Sequence, residues 1–302
     1  MLSIVCAVLA AGGNATANVM LRKASLTQPA GARFDAGMLA NLIRRRVWLY
    51  GFGGMVASFL LQAVALSRGQ LSAVEPIITL EVPLTLLVAS RVFRTRLGRA
   101  EWLGILAMTA GMIVLVGSLD PKVGHDFDVS HQTYVLAGGA TAATIGLLVA
   151  ASLRGPTGWR TACLGAATGT SFGLTATLIK ETMSQLTDRG WFGVVSTWQT
   201  YAAIGFGILG VLVMQWALHT GPLLASQPGF TLMDPIVSIL WGVLVFDETT
   251  NTGLWLGAAT LGAMGIGAGV VVLARSPLLG DESANDGPGP VSPARAAPAN
   301  LP

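Results

Sequence analysis

Residues 65–83 read ALSRGQLSAVEPIITLEVP, and residues 217–235 read ALHTGPLLASQPGFTLMDP. The second stretch is the first moved 152 residues along the chain without a gap. Ala65, Leu66, Gly69, Ala73, Pro76, Thr79, Leu80 and Pro83 meet Ala217, Leu218, Gly221, Ala225, Pro228, Thr231, Leu232 and Pro235. A shift of 157 pairs Cys6, Ala10, Gly12, Leu21 and Lys23 with Cys163, Ala167, Gly169, Leu178 and Lys180. A shift of 153 pairs Trp102 and Gly104 with Trp255 and Gly257. Identity recurring at a nearly fixed offset marks a duplicated structural unit.

The unit is built for a bilayer. Only 11% of the 302 residues are charged and 52% are hydrophobic, whereas a soluble domain carries roughly a quarter charged residues. Apolar runs near the ~20 residues that cross a bilayer recur along the chain. They predict spans at 2–21, 47–67, 70–92, 100–118, 133–153, 161–180, 194–218, 222–246 and 253–273. The expected fold is therefore an all-α integral membrane protein of about nine transmembrane helices. Arg22 and Lys23 follow the first apolar run rather than precede it, so that run is expected to stay as a span and not to be a cleaved leader. Met38, Leu39, Leu42 and Ile43 before Arg44, Arg45 and Arg46 predict a short surface helix in the first loop. Cys6 and Cys163 both fall in apolar runs and predict neither a disulfide framework nor a metal cluster.

The first four spans repeat as the last four, with the fifth between them. One odd span intervening makes the two halves cross in opposite directions. The organisation predicted is a first four-helix repeat over 1–118, a linker over 119–160 carrying the fifth span, and an inverted second repeat over 161–275. A proline-rich tail over 276–302 is expected to be disordered and cytoplasmic. With the N-terminus outside and the C-terminus in the cytoplasm, the cytoplasmic segments hold 14 of the 18 Lys and Arg residues. The external segments keep Arg68, Lys122, Lys180 and Arg189. The positive-inside rule selects this orientation. Inverted repeats are the recurrent architecture of secondary transporters, with the site near the midplane between the halves.

Ionisable side chains at membrane depth are functional candidates because burying their charge is costly. Three acids fall within predicted spans: Glu75, Glu81 and Asp234. Asp234 corresponds to Val82 in the repeat, one residue from Glu81, which places these two carboxylates at similar depth in opposite halves. They are candidates to bind a cation or to carry a proton. Pro76 and Pro83, like Pro228 and Pro235, are two helical turns apart, and each proline removes a backbone donor. The carbonyls expected to be freed are those of Ser72, Thr79, Leu224 and Thr231. Asn14 and Asn18 share one face of the first span, while Gln62 and Gln215 add amides from the second and seventh. Thr170, Ser171, Thr175 and Thr177 serve either as interhelical glue or as pathway lining. His125 and His131 with Asp120, Asp126 and Asp128 read as a solvated external loop.

The series Ala65-Leu66, Pro76, Pro83, Gly104 and Gly111, repeated as Ala217-Leu218, Pro228, Asp234-Pro235, Glu248, Gly257 and Gly262, resembles the drug/metabolite transporter superfamily, EamA-like. Lys23 and Lys180, closing the first and sixth spans, fit the same pattern. Within it the chain looks most like the NIPA-type branch, described as magnesium transporters of about nine helices. Many superfamily members have ten helices in two five-helix units, whereas four plus a linker are counted here. The acidic residue typical of the loop after the proline helix is Glu248 in the second half, but Arg96 stands in the first.

The resemblance implies a secondary transporter or facilitator, with Mg²⁺ as a candidate substrate held tentatively by Glu81 and Asp234. A proton-coupled exporter of a small organic cation or metabolite fits the same carboxylates. A non-transporting assembly or regulatory subunit is the alternative from another class. The expected setting is a bacterial inner membrane. The chain has no Gly-x-x-x-x-Gly-Lys loop and no His-Glu-x-x-His, so neither nucleotide coupling nor enzyme activity is expected. No cofactor and no nucleic-acid partner are expected; the bilayer and an ion or small-molecule substrate are, and a homodimer is left open.

Overall fold

The computed structural model describes residues 2–25, 46–122, 131–221, 223–251 and 253–275. The surface helix expected near 38–43, the tail, and His125, Asp126 and Asp128 lie outside them. The described residues form helices α1 (Leu2–Ser25), α2 (Arg46–Arg68), α3 (Leu71–Ile78), α4 (Glu81–Val92), α5 (Arg99–Leu119), α6 (His131–Ser152), α7 (Thr157–Ser196), α8 (Trp198–Thr220), α9 (Leu223–Leu244) and α10 (Leu254–Ala274). Taken as one broken span, α3 and α4 bring the helices to nine. Eight spans, α3–α4 counted as one, are long and apolar enough to cross a membrane; α9 is a helix of 22 residues. Large apolar side chains such as Leu103, Leu136, Leu147, Leu212 and Leu261 cover the outer faces, as hydrocarbon requires. The described chain has no strand, only one isolated bridge between Lys122 and Thr249.

Packing is by small residues, as expected where lipid removes the hydrophobic drive between helices. α5 crosses α10 at Gly111 and Gly262, so closely that a Cβ on Gly111 would stand 2.6 Å from the Gly262 carbonyl. α7 backs α9 through Gly165, Gly169 and Gly173, a glycine at every turn; a Cβ on Gly173 would meet the Asp234 carbonyl at 2.8 Å. α1 packs on α2, α3 and α4, while α7 packs on α8 and α9 and α3 meets α9. α6 packs chiefly on α7 and stands at the edge of the bundle.

The loops fix which helix ends lie together. Lys122 donates to the Thr249 carbonyl at 3.0 Å, and Asn251 donates to Leu119 at 2.9 Å. The α2–α3 turn at Gly69 joins the same end through Lys180, which donates to its carbonyl at 2.8 Å. Arg91, Arg94, Arg96, Arg99, Arg154 and Arg160 belong to the opposite end, at helix termini far from Gly69.

Two expectations need correction. The sixth span, predicted over 161–180, runs on to Ser196, with its regular geometry interrupted only at Gly190, where φ is 64°. Polar residues beyond Lys180 ended the apolar run but not the helix. The paired prolines also act unequally. Between α3 and α4 the chain tightens, with Leu80 donating to Ile77 at 3.1 Å and Val82 to Thr79 at 3.2 Å. The Thr79 carbonyl, expected to be free, is therefore taken. α9 keeps one helix through Pro228 and Pro235, its backbone resting on the glycine face of α7.

Candidate functional site

The acids converge from three elements. Glu81 opens α4, Glu75 lies within α3, and Asp234 lies midway along α9. Counting 1.5 Å per residue, Glu81 is about 15 Å from Leu71 at the Gly69 end, and Asp234 is about 15 Å from Leu244 at the same end. By this count the two residues lie about equally far along their helices from that end. Asp234 is within Coulombic reach of both Glu75 and Glu81.

Each carboxylate has its own surroundings. The amides of Asn14 and Asn18, four residues apart on α1, each donate to one oxygen of Glu81 at 2.6 Å. This amide fork on Glu81 is the geometry that an i,i+4 pair on one helix face provides. Glu81 is half-buried and Asn18 is exposed, so the fork lies at the edge of the enclosed region. Glu75 is only 1% exposed and accepts from Gln62 of α2 at 3.2 Å. The Oδ1 of Asp234 is enclosed and has no hydrogen-bond partner among the described residues.

Gln215 does not join the group. It lies on the exposed face of α8, which turns that position away from the acids. Thr170, Thr175 and Thr177 bond back to carbonyls of their own helix, and Ser171 donates to the Phe206 carbonyl at 2.8 Å. Only Ser171 therefore bonds across to another helix, α8, while Thr170 lines an apolar groove beside α6. Gly169-Thr170-Ser171-Phe172-Gly173 spells Gly-x-Ser-x-Gly, yet it lies in unbroken helix with both glycines against α9. A nucleophile elbow needs a strand-to-helix turn there.

A second buried cluster was not foreseen. Glu248 accepts from the Leu71 amide at 2.7 Å, the Ser72 amide at 3.0 Å, the Ser72 hydroxyl and the Lys180 ammonium at 2.9 Å. It caps the first turn of α3, whose amides have no partner within the helix. Lys180 also lies 5.2 Å over the Phe246 ring. The tie joins α7, the α9–α10 loop and the α2–α3 turn. Lys180 and Glu248 each fit the repeat pattern, but nothing in their local spacing announces a contact across 68 residues.

Two apolar grooves of about 270 and 260 Å³ flank α6, with Trp241 common to both and no acid in either. Among the described residues no cluster of three His, Cys, Asp or Glu side chains has the arrangement of a metal centre. Compared with known proteins, the chain matches no family model and no solved structure. A protein of Corynebacterium glutamicum, described as uncharacterized, is 27% identical over 257 residues, covering 84% of this chain and 88% of its own length.

Proposed function

We propose that this chain is a secondary transporter of the drug/metabolite type, working by alternating access between two inverted four-helix repeats in a bacterial inner membrane. The observation that carries the reading is the convergence of Glu75, Glu81 and Asp234, from helices of both halves, inside an apolar bundle. Buried ionisable groups at this depth mark ion and substrate pathways. The packing supports the repeat: α1 meets its following helices as α7 meets α8 and α9, and α5 pairs with its counterpart α10.

The two ends of the bundle differ as a transporter caught on one side would. At the Gly69 end, Lys180, Glu248 and Ser72 tie three elements together. At the other end their repeat counterparts, Lys23 and Arg96, are both exposed cations that cannot pair. Exposure rises from Glu75 to Asn18 toward the arginine-rich end. By the positive-inside rule that end is cytoplasmic, so the pathway is sealed outside and reachable from inside.

The Glu81–Asn14–Asn18 fork is the substrate contact in this reading. Its amides occupy the carboxylate oxygens that Mg²⁺ would need for its near-ideal octahedral shell. A small organic cation, which needs only one carboxylate and neighbouring acceptors, suits the fork better than the Mg²⁺ of the NIPA resemblance. The test is reconstitution of the full chain in vesicles with a panel of organic cations and Mg²⁺, under imposed proton and sodium gradients. Accumulation that is lost in Glu81→Gln, with normal insertion of the variant, is expected. Undiminished flux in the Glu81→Gln, Asp234→Asn double variant defeats the proposal.

A further inference from the structure

Ser238 lies one helical turn beyond Asp234 on α9, on the same face. It is 0% exposed, and its hydroxyl has no hydrogen-bond partner. Two polar atoms one turn apart, Asp234 Oδ1 and Ser238 Oγ, are thus enclosed and unpaired, whereas buried hydroxyls such as those of Ser58, Thr161, Thr168 and Thr177 bond to backbone carbonyls. Unsatisfied buried groups are rare, and each calls for a ligand, an ion or a water.

The register of α3 against α9 shows what faces them. The helices run antiparallel, and a Cβ on Gly242 would sit 3.3 Å from the Ser72 Cβ. One turn deeper on each helix, Ser238 comes level with Glu75. A further turn along α9 brings Asp234 level with the α3–α4 break. Glu75 is therefore level with Ser238, and its carboxylate is in Coulombic reach of Asp234.

We propose that Asp234, Ser238 and Glu75 form a binding site for a dehydrated monovalent cation, Na⁺, which serves as the coupling ion. The inference rests on the transporter reading and divides its acids: Glu81 meets substrate, and the Asp234 group holds the ion. A cation satisfies both orphaned oxygens at once and offsets the carboxylate charge. A water would satisfy the hydrogen bonds and leave that charge in place. A proton on Asp234 would cancel the charge and still leave the Ser238 hydroxyl without a partner. Mg²⁺ keeps several of its waters, whereas the groups here are withdrawn from solvent, with Ser238 0% and Glu75 1% exposed.

The experiment is thermal unfolding of the purified full chain in detergent, titrated with NaCl, KCl, choline chloride and MgCl₂ at constant ionic strength. A ligand that binds the folded state alone raises Tm with its concentration. Na⁺ is expected to raise Tm saturably, and Ser238→Ala is expected to shift the midpoint at least tenfold. Ser238→Ala removes an unpartnered hydroxyl and so leaves folding intact; Asp234→Asn should abolish the response. A response to Mg²⁺ alone, no specific ion response, or an unchanged Na⁺ midpoint in Ser238→Ala overturns the site. The vesicle assay keeps the two readings apart. Flux driven by protons and indifferent to Na⁺ refutes the coupling site and leaves the transporter standing. Na⁺ binding without flux of any substrate does the reverse.

Discussion

Removing Glu248 is the sharpest perturbation the fold offers. In Glu248→Ala, Lys180 remains 8% exposed and keeps only the Gly69 carbonyl at 2.8 Å and the Phe246 face at 5.2 Å. Breaking a buried pair by deleting one partner typically costs about 3–5 kcal/mol, because a charge is left uncompensated. The amides of Leu71 and Ser72 lose their acceptor as well, at about 1–3 kcal/mol each where water cannot reach. Lys180 lies near the Gly69 end and has a flexible stem, so turning toward the surface recovers part of this. A net loss of about 3–5 kcal/mol remains. At roughly 2–4 °C per kcal/mol for a chain approaching this size, unfolding followed by tryptophan fluorescence should fall by at least about 6 °C. A Lys180→Met, Glu248→Leu double variant removes both charges and should regain most of that difference, since a buried pair often gives way to apolar residues without penalty. A Glu248→Ala chain melting within about 1 °C of the parent would refute the tie, as would a double variant no better than the single one.

Gly173→Ala should reduce transport and lower stability by about 1–3 kcal/mol through overpacking, because the new Cβ falls 2.8 Å from the Asp234 carbonyl; Gly139→Ala, with open space around it, is the matched control in the same melting and flux assays. A cysteine replacing Asn18 should react with thiol reagents from the cytoplasmic side, whereas one replacing Ser72 should stay unlabelled until Glu248 is also changed to Gln; the native Cys6 and Cys163 are buried and give little background. Reporter fusions near residues 97 and 157 should read cytoplasmic and a fusion near 185 external, and the opposite pattern would undo the assignment of the sealed end to the outside. Asn14→Ala with Asn18→Ala should raise the substrate KM more than it alters the Na⁺ midpoint, as separate fork and ion sites require.

Periodicity and composition made the spans legible because crossing hydrocarbon allows a chain few choices: a helix, about 20 residues, few charges. The expectation that Glu81 and Asp234 lie at similar depth came from the same source, being arithmetic on the repeat. What escaped reading depended on partners distant in sequence. Gln62 and Gln215 look alike in isolation, yet α2 turns one toward Glu75 and α8 turns the other outward. Ser238 is an ordinary serine until its surroundings supply no partner. The prolines show the same limit from another side. Pro76 and Pro83 accompany a broken helix, while Pro228 and Pro235 sit in a continuous one whose backbone packs on the glycines of α7, a contact that no local reading of α9 contains.

The departures from repeat symmetry fall where a direction of transport would need them. Two identical halves would give two equivalent gates, and neither facing state would be preferred. In this chain the second half carries an acid at Glu248 and the first carries Arg96 at the matching position. Only the Gly69 end can then hold a buried ion pair, since a lysine facing an arginine repels. A pair present in one facing state and absent from the other biases the equilibrium by its differential stability. The carboxylates divide along the same axis: Glu75 nearest the tie and most enclosed, Asp234 deeper, Glu81 open to its amide fork. An ion seated between Asp234 and Ser238 lies one turn of α9 from Gly242, where the Glu248 carboxylate rests against the backbone. If the proposed site holds, its filling and emptying would act on the tie along α9. In the proposed mechanism that contact would join ion binding to the opening of the sealed end.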